Sequence, residues 1–61
     1  MPDDQAAIRG TMREVIEACQ MHQKALMHPL DEETVVDLRL GVEMSLESLR
    51  SVRDWLDERL R

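Results

Sequence analysis

A cysteine and a histidine three positions apart are the residues best suited to chemistry in this chain. Cys19 and His22 stand at positions i and i+3, a spacing that lets one face of a helix present two ligands to a zinc ion. Two copies of the chain would supply two cysteines and two histidines. The simpler interpretation is that Cys19 is a small buried apolar group and His22 a core or boundary imidazole with one hydrogen-bond partner. We therefore predict no metal and no cofactor, and keep a dimer-bridging zinc site at Cys19 and His22 as an alternative.

No other group of residues is arranged for catalysis. His28 lies six positions after His22, so on a helix the two side chains would point to different sides. No serine stands in a nucleophile motif, and the sequence has no glycine-rich phosphate-binding loop. The acidic residues are spread over positions expected to face solvent. We expect the protein not to be an enzyme.

The length and the net charge of the chain exclude several classes of function. The chain has 61 residues, of which 13 are acidic and 8 basic, and its formal charge is -5. This charge argues against binding to nucleic acid or to an anionic membrane, and no apolar run approaches the roughly 20 residues that cross a bilayer. A chain this short buries only about 60% of its surface, and one cysteine allows no internal disulfide. We expect a cytoplasmic protein that gains stability by self-association.

The first half of the chain is predicted to form one amphipathic helix, over residues of about 4–27. Ala, Leu, Met, Glu and Arg are plentiful, and Phe and Tyr are absent, a composition typical of helices rather than strands. Asp3 or Asp4 can accept hydrogen bonds from the free N–H groups at the helix start. The helix should end before His28, because the ring of Pro29 disfavours a helical conformation in the preceding residue.

A turn over residues 28–31 should lead into a second helix over residues of about 32–59. Asp31 is the predicted N-cap, and the two glutamates that follow it suit the positive end of the helix dipole. Leu30 can pack on Val35 as a hydrophobic staple. Such a short connection makes the two helices antiparallel neighbours. The predicted fold is therefore all-α, a single antiparallel two-helix hairpin.

The apolar residues of each helix recur at spacings of three and four, which places them on one stripe. Two helices in contact leave one side of both stripes open to water, and a second hairpin would cover it. We therefore predict a homodimer that forms a four-helix bundle. The predicted dimer core consists of Ile8, Met12, Val15, Cys19 and Leu26 on the first helix and Leu38, Val42, Leu49 and Leu56 on the second.

The second helix carries a further apolar face. Val36, Leu40, Met44 and Trp55 fall within about 100° of one another, away from the core stripe. Trp55 is the only aromatic residue, and tryptophan is enriched among interface anchors. This face either completes the homodimer core or contacts a different protein.

An outward stripe of the first helix gives a second functional alternative. Arg9, Arg13, Gln20 and Lys24 lie along it, interrupted by Glu17. In a four-helix dimer two such stripes could bind RNA, a layout similar to that of the plasmid-copy regulator Rop. The similarity is one of architecture, since no residue motif matches that family, and the acidic total argues against nucleic acid.

These observations favour a small noncatalytic protein-interaction module. We expect it to homodimerise and to bind, regulate or inhibit a larger, unidentified protein partner, with no membrane association. Small acidic helical chains serve bacteria and phages as adaptors, antitoxins, chaperones or inhibitors, an analogy of size and charge alone.

Overall fold

The fold is a hairpin of two α-helices, as predicted. A computed structural model describes residues 4–61, so the candidate cap Asp3 lies outside the described residues. Helix α1 is Asp4–Ala25 and helix α2 is Glu32–Arg59. The two helices pack against each other along their length, and the molecule measures 46 × 17 × 15 Å. No helix of the described residues is long and apolar enough to span a membrane.

Helix α1 ends two residues before the predicted end at Met27. There the N–H of Met27 donates to the carbonyl of Lys24 (3.1 Å), and that of His28 donates to the carbonyl of Ala25 (3.2 Å). These bonds span three residues instead of four, so the last turn tightens. Helix exit therefore begins well ahead of Pro29, whose ring constrains only the residue before it.

The start of α2 has the predicted N-cap. The Thr34 N–H donates to Oδ1 of Asp31 at 2.7 Å, and Asp31 itself has an extended backbone conformation. This hydrogen bond favours the charged carboxylate and holds the pKa of Asp31 below its ordinary value of 3.8. Glu32 and Glu33 occupy the first turn, where negative charge complements the helix dipole.

The contact between the helices, which we call the seam, consists mostly of small side chains. Buried and half-buried residues recur at alternating spacings of three and four from Ile8 to Ala25 and from Thr34 to Trp55, as in a coiled coil. On α1 they are Ile8, Thr11, Val15, Ala18, His22 and Ala25, and on α2 they are Thr34, Leu38, Gly41, Ser45, Ser48, Val52 and Trp55.

One close approach fixes the register of the seam. The imidazole of His22 lies against Gly41, and a methyl group at Gly41 would come within 2.8 Å of its Cε1 atom. Residues of the two helices that face each other therefore have numbers that add up to about 63. Glu14 and Val15 accordingly line the same groove as Ser48. Glycine is the residue that leaves room for the imidazole at this point of the seam.

The hairpin buries very little on its own. Val15 (8% exposed) and Val52 (6%) are the two buried hydrophobic residues among residues 4–61, and none of the described side chains is completely buried. The accessible surface is 5585 Å², whereas a compact monomer of 7.1 kDa would expose about 4,100 Å². The hairpin thus exposes roughly 1,500 Å² more than a compact monomer of that mass.

Candidate protein interface

Eight of the fifteen exposed large apolar side chains among residues 4–61 lie on one broad side of the hairpin. Each directly follows a seam residue in the sequence. Both helices are right-handed and they run in opposite directions. The side chains that directly follow seam residues therefore point to the same side of the hairpin on α1 and on α2. We call this side the front face and define it as Met12, Ile16, Cys19, Leu26, Val35, Val42, Leu46, Leu49 and Leu56.

The front face is open to solvent in the hairpin. The exposed fractions of its apolar side chains range from 37% at Leu49 to 61% at Leu26. The charged residues that directly follow seam residues between these apolar positions are Arg9, Arg39 and Arg53, with no carboxylate among them. Their long aliphatic stems can lie on neighbouring apolar surface while the guanidinium groups stay in water. The front face is therefore apolar with a basic component.

The opposite side, which we call the back face, is acidic. It consists of the residues that directly precede seam residues, and it includes the carboxylates of Glu14, Glu17, Glu33, Asp37, Glu47 and Asp54. Leu40 and Met44 form an apolar island among them and are 56% and 64% exposed. A shallow groove of about 230 Å³ runs beside Met44, between Glu14 and Ser48. The two sides of the hairpin thus differ in charge as well as in hydrophobicity.

The predicted dimer-core residues are divided between the seam and the front face. Val15 is buried and Ile8 and Leu38 are half-buried in the seam. The other six lie on the front face and are exposed, namely Met12, Cys19, Leu26, Val42, Leu49 and Leu56. The predicted stripe therefore lies between the seam and the front face. In a four-helix bundle this direction points toward the centre of the bundle.

The structure places Cys19 and His22 in different surroundings. Cys19 is exposed on the front face, whereas His22 is half-buried in the seam against Gly41. Within residues 4–61 no group of three or more side chains of His, Cys, Asp or Glu is gathered in a way that could hold a metal ion. A zinc site would need ligands from a second copy and a rotation of His22 out of the seam.

Trp55 differs from the other members of the predicted second face. Val36, Leu40 and Met44 are exposed, while Trp55 is half-buried at the end of the seam. The guanidinium of Arg59 lies over its indole ring, 3.9 Å from the centroid, in a cation–π arrangement. Sequence reasoning did not identify this contact, although the spacing of four residues between an arginine and a tryptophan on a helix was a signal for it.

The charged pairs on α2 are exposed, and one of the three joins residues four positions apart. Arg39 and Glu43 do approach each other, at 3.9 Å. Arg50, however, contacts Glu47 (3.8 Å), and Arg53 contacts Asp54 (3.2 Å). All six side chains are more than 60% exposed, so these pairs contribute little to stability within one hairpin.

The arginines of the RNA-binding alternative lie near the front face. Arg9, Arg13 and Gln20 border an open groove that also contains the front-face residues Met12 and Ile16. This groove has an apolar floor rather than a continuous basic surface.

No protein family, curated protein or solved structure matches this chain.

Proposed function

We propose that the protein is a noncatalytic interaction module that homodimerises into a four-helix bundle through the front face and binds a larger protein through the back face. The observation that carries this proposal is the contrast between two buried valines and a continuous side of exposed large apolar residues. Burying a half-exposed leucine or valine contributes on the order of 1 kcal/mol. A second copy that covers this side would supply the core that one hairpin lacks.

The amount of exposed surface supports self-association. The excess of roughly 1,500 Å² over a compact monomer exceeds the approximately 800 Å² that each partner buries in a standard interface. Four-helix bundles bury this kind of face between two hairpins. The single thiol at Cys19 suits a reducing, cytoplasmic setting.

The back face supports binding to a partner with basic and apolar groups. Leu40 and Met44 can serve as anchors, and neighbouring carboxylates such as Asp37 and Glu47 would attract lysine or arginine side chains. Val36 extends the apolar surface along α2. Because the front face is occupied in the proposed dimer, the back face is the apolar surface that stays accessible to a larger protein, which the module would then regulate or inhibit.

Sedimentation analysis of the wild type tests the first part of this proposal. We expect a helical dimer at micromolar concentration, whose dissociation is accompanied by loss of helicity. A stably folded monomer at these concentrations would rule out the role of the front face.

Affinity capture from the native host tests the second part. We expect one protein to be retained by the wild type and lost by the variant Leu40→Lys/Met44→Lys, which should still be dimeric. Arg61→Glu, an exposed change away from both faces, is the matched control and should retain the partner. Equal retention by all three proteins would contradict the back-face assignment.

A further inference from the structure

Helix α2 has a charged outer edge that shares Leu46 with the front face. The order of charges along this edge is self-complementary. Along this edge the residues recur at spacings of four and three, and all are exposed. They are Arg39, Glu43, Leu46, Arg50, Arg53 and Asp57. Read in one direction the edge begins with an arginine, and read in the other it begins with an aspartate. Two copies of such an edge attract each other when they run in opposite directions.

Two arrangements let a second copy cover the front face with two-fold symmetry while all four helices stay aligned. In the first, the axis is parallel to the helices, and α1 packs on α2 of the second copy. In the second, the axis crosses the helices, and α2 packs antiparallel on α2 of the second copy while α1 packs on α1. The charges at the edges of the helices distinguish them.

The first arrangement brings like charges together. Rotation about an axis parallel to the helices keeps every residue at its own height, so the seam register fixes which residues meet. The contact of His22 with Gly41 shows that the numbers of residues at the same height add up to about 63. Arg13 would therefore lie beside Arg50 of the second copy. By the same register, Arg9 would lie near Arg53 of the second copy. Like charges in contact oppose association.

The second arrangement brings opposite charges together. Its register can slide, and an axis between Leu46 and Leu49 packs these two leucines against each other across the interface. Arg39 then lies beside Asp57 of the second copy, and Glu43 lies between Arg50 and Arg53 of the second copy. Symmetry doubles each contact.

Helix α1 is compatible with the second arrangement. The corresponding edge of α1 holds Arg9, Arg13, Ile16, Gln20 and Gln23, without a carboxylate. The axis that centres α2 crosses α1 near Val15 and Ile16. Arg9 and Arg13 therefore face the glutamines of the second copy instead of their own counterparts, and no like charges meet.

We propose that the occupant of the front face is a second copy of this chain, bound with its α2 antiparallel to α2 and its charged edges paired Arg39 to Asp57 and Glu43 to Arg50 and Arg53. This inference rests on the proposed homodimerisation and adds the orientation and the register.

Cross-linking with a short bismaleimide tests the orientation. The background is Cys19→Ser, so that each variant carries one thiol, and each is first shown to be a dimer by sedimentation. A mixture of Glu43→Cys and Arg53→Cys should give a cross-linked heterodimer, while either variant alone should not, because its two thiols lie at least roughly 13 Å apart along the helices. A mixture of Arg39→Cys and Asp57→Cys should behave in the same way and serves if the first pair does not dimerise.

The matched control is a mixture of Arg13→Cys and Arg50→Cys, which only the first arrangement brings together. We expect no cross-linked heterodimer of these two variants, although each can cross-link with itself, because its two thiols lie only about 7 Å apart along the helices in the second arrangement. A heterodimer from this control, with none from the other two mixtures, overturns the proposed orientation while leaving homodimerisation intact. If the Cys19→Ser background and the wild type are both folded monomers by sedimentation, the orientation and the proposed function fail together.

Discussion

The seam and the front face lie one residue apart along each helix, yet they are built from different kinds of side chain. The seam contains Ala18, Gly41, Ser45 and Ser48, which let the helices approach closely but bury little apolar area. The front face contains the leucines and valines that could stabilise the fold, and the hairpin leaves them exposed. This difference indicates that the seam sets the geometry of the helix pair, while most of the large apolar surface stays outside the contact between the helices.

The largest effect should come from placing charges on the front face. In the variant Leu46→Lys/Leu49→Lys, burial of two half-exposed leucines in the proposed dimer is lost, which we expect to cost about 2 kcal/mol per chain. Circular dichroism melts should show a large loss of thermal stability, and sedimentation should show a monomer. Leu60→Lys is the control, because Leu60 is 86% exposed and outside both helices. A double variant that melts like the wild type would contradict the role of the front face.

A smaller effect is expected from adding a side chain at Gly41, where the imidazole of His22 approaches the backbone of α2. Gly41→Ala gains about 1 kcal/mol of helix propensity, but the added methyl group meets His22, and overpacking costs about 1–3 kcal/mol. We expect a net loss of about 1 kcal/mol, measured by urea denaturation.

Two comparisons make that result specific to the seam. Gly10→Ala should gain about 0.5–1 kcal/mol, because no atom lies within 4 Å of the added methyl group. Adding His22→Ala to Gly41→Ala should recover stability, since the obstructing imidazole is removed. If Gly41→Ala and Gly10→Ala are equally stabilising, the close approach of His22 to Gly41 is not present in solution.

The smallest effect concerns the cap that starts α2, outside both regions. Because the pKa of Asp31 is lowered in the folded state, its contribution is complete above pH about 4 and is lost as the pH falls through the lowered value. Asp31→Asn keeps a side-chain oxygen for the Thr34 N–H without this titration. The stability difference between wild type and Asp31→Asn, from thermal melts, should therefore shrink toward acid. A difference that is constant from pH 7 to pH 2 would contradict the capping bond.

Local features of the fold could be predicted from the sequence because single residues decide them. Asp31 determines where α2 starts, and Pro29 places the turn between the helices. The end of α1 was harder to predict, since the tightened turn at Met27 depends on the path toward α2 and not on any one side chain.

The seam could not be predicted in the same way. Hydrophobic periodicity follows the largest apolar residues, and it therefore indicates a stripe through Met12, Cys19 and Leu26, one residue beyond the contact that the helices make. Small residues such as Ala18 and Gly41 carry little weight in such a pattern, although close packing depends on them. The packing of the His22 imidazole against Gly41 depends on the relative position of both helices, which the sequence pattern of one helix does not contain.

The position of Trp55 under Arg59 has a practical consequence. As the sole aromatic residue of the chain, it is the only source of long-wavelength intrinsic fluorescence, and it lies at the end of the seam farthest from the turn. Its emission therefore reports on one place, the point where the beginning of α1 and the end of α2 meet. Fraying of these ends could be followed by fluorescence, without a label, at concentrations low enough to dissociate the proposed dimer.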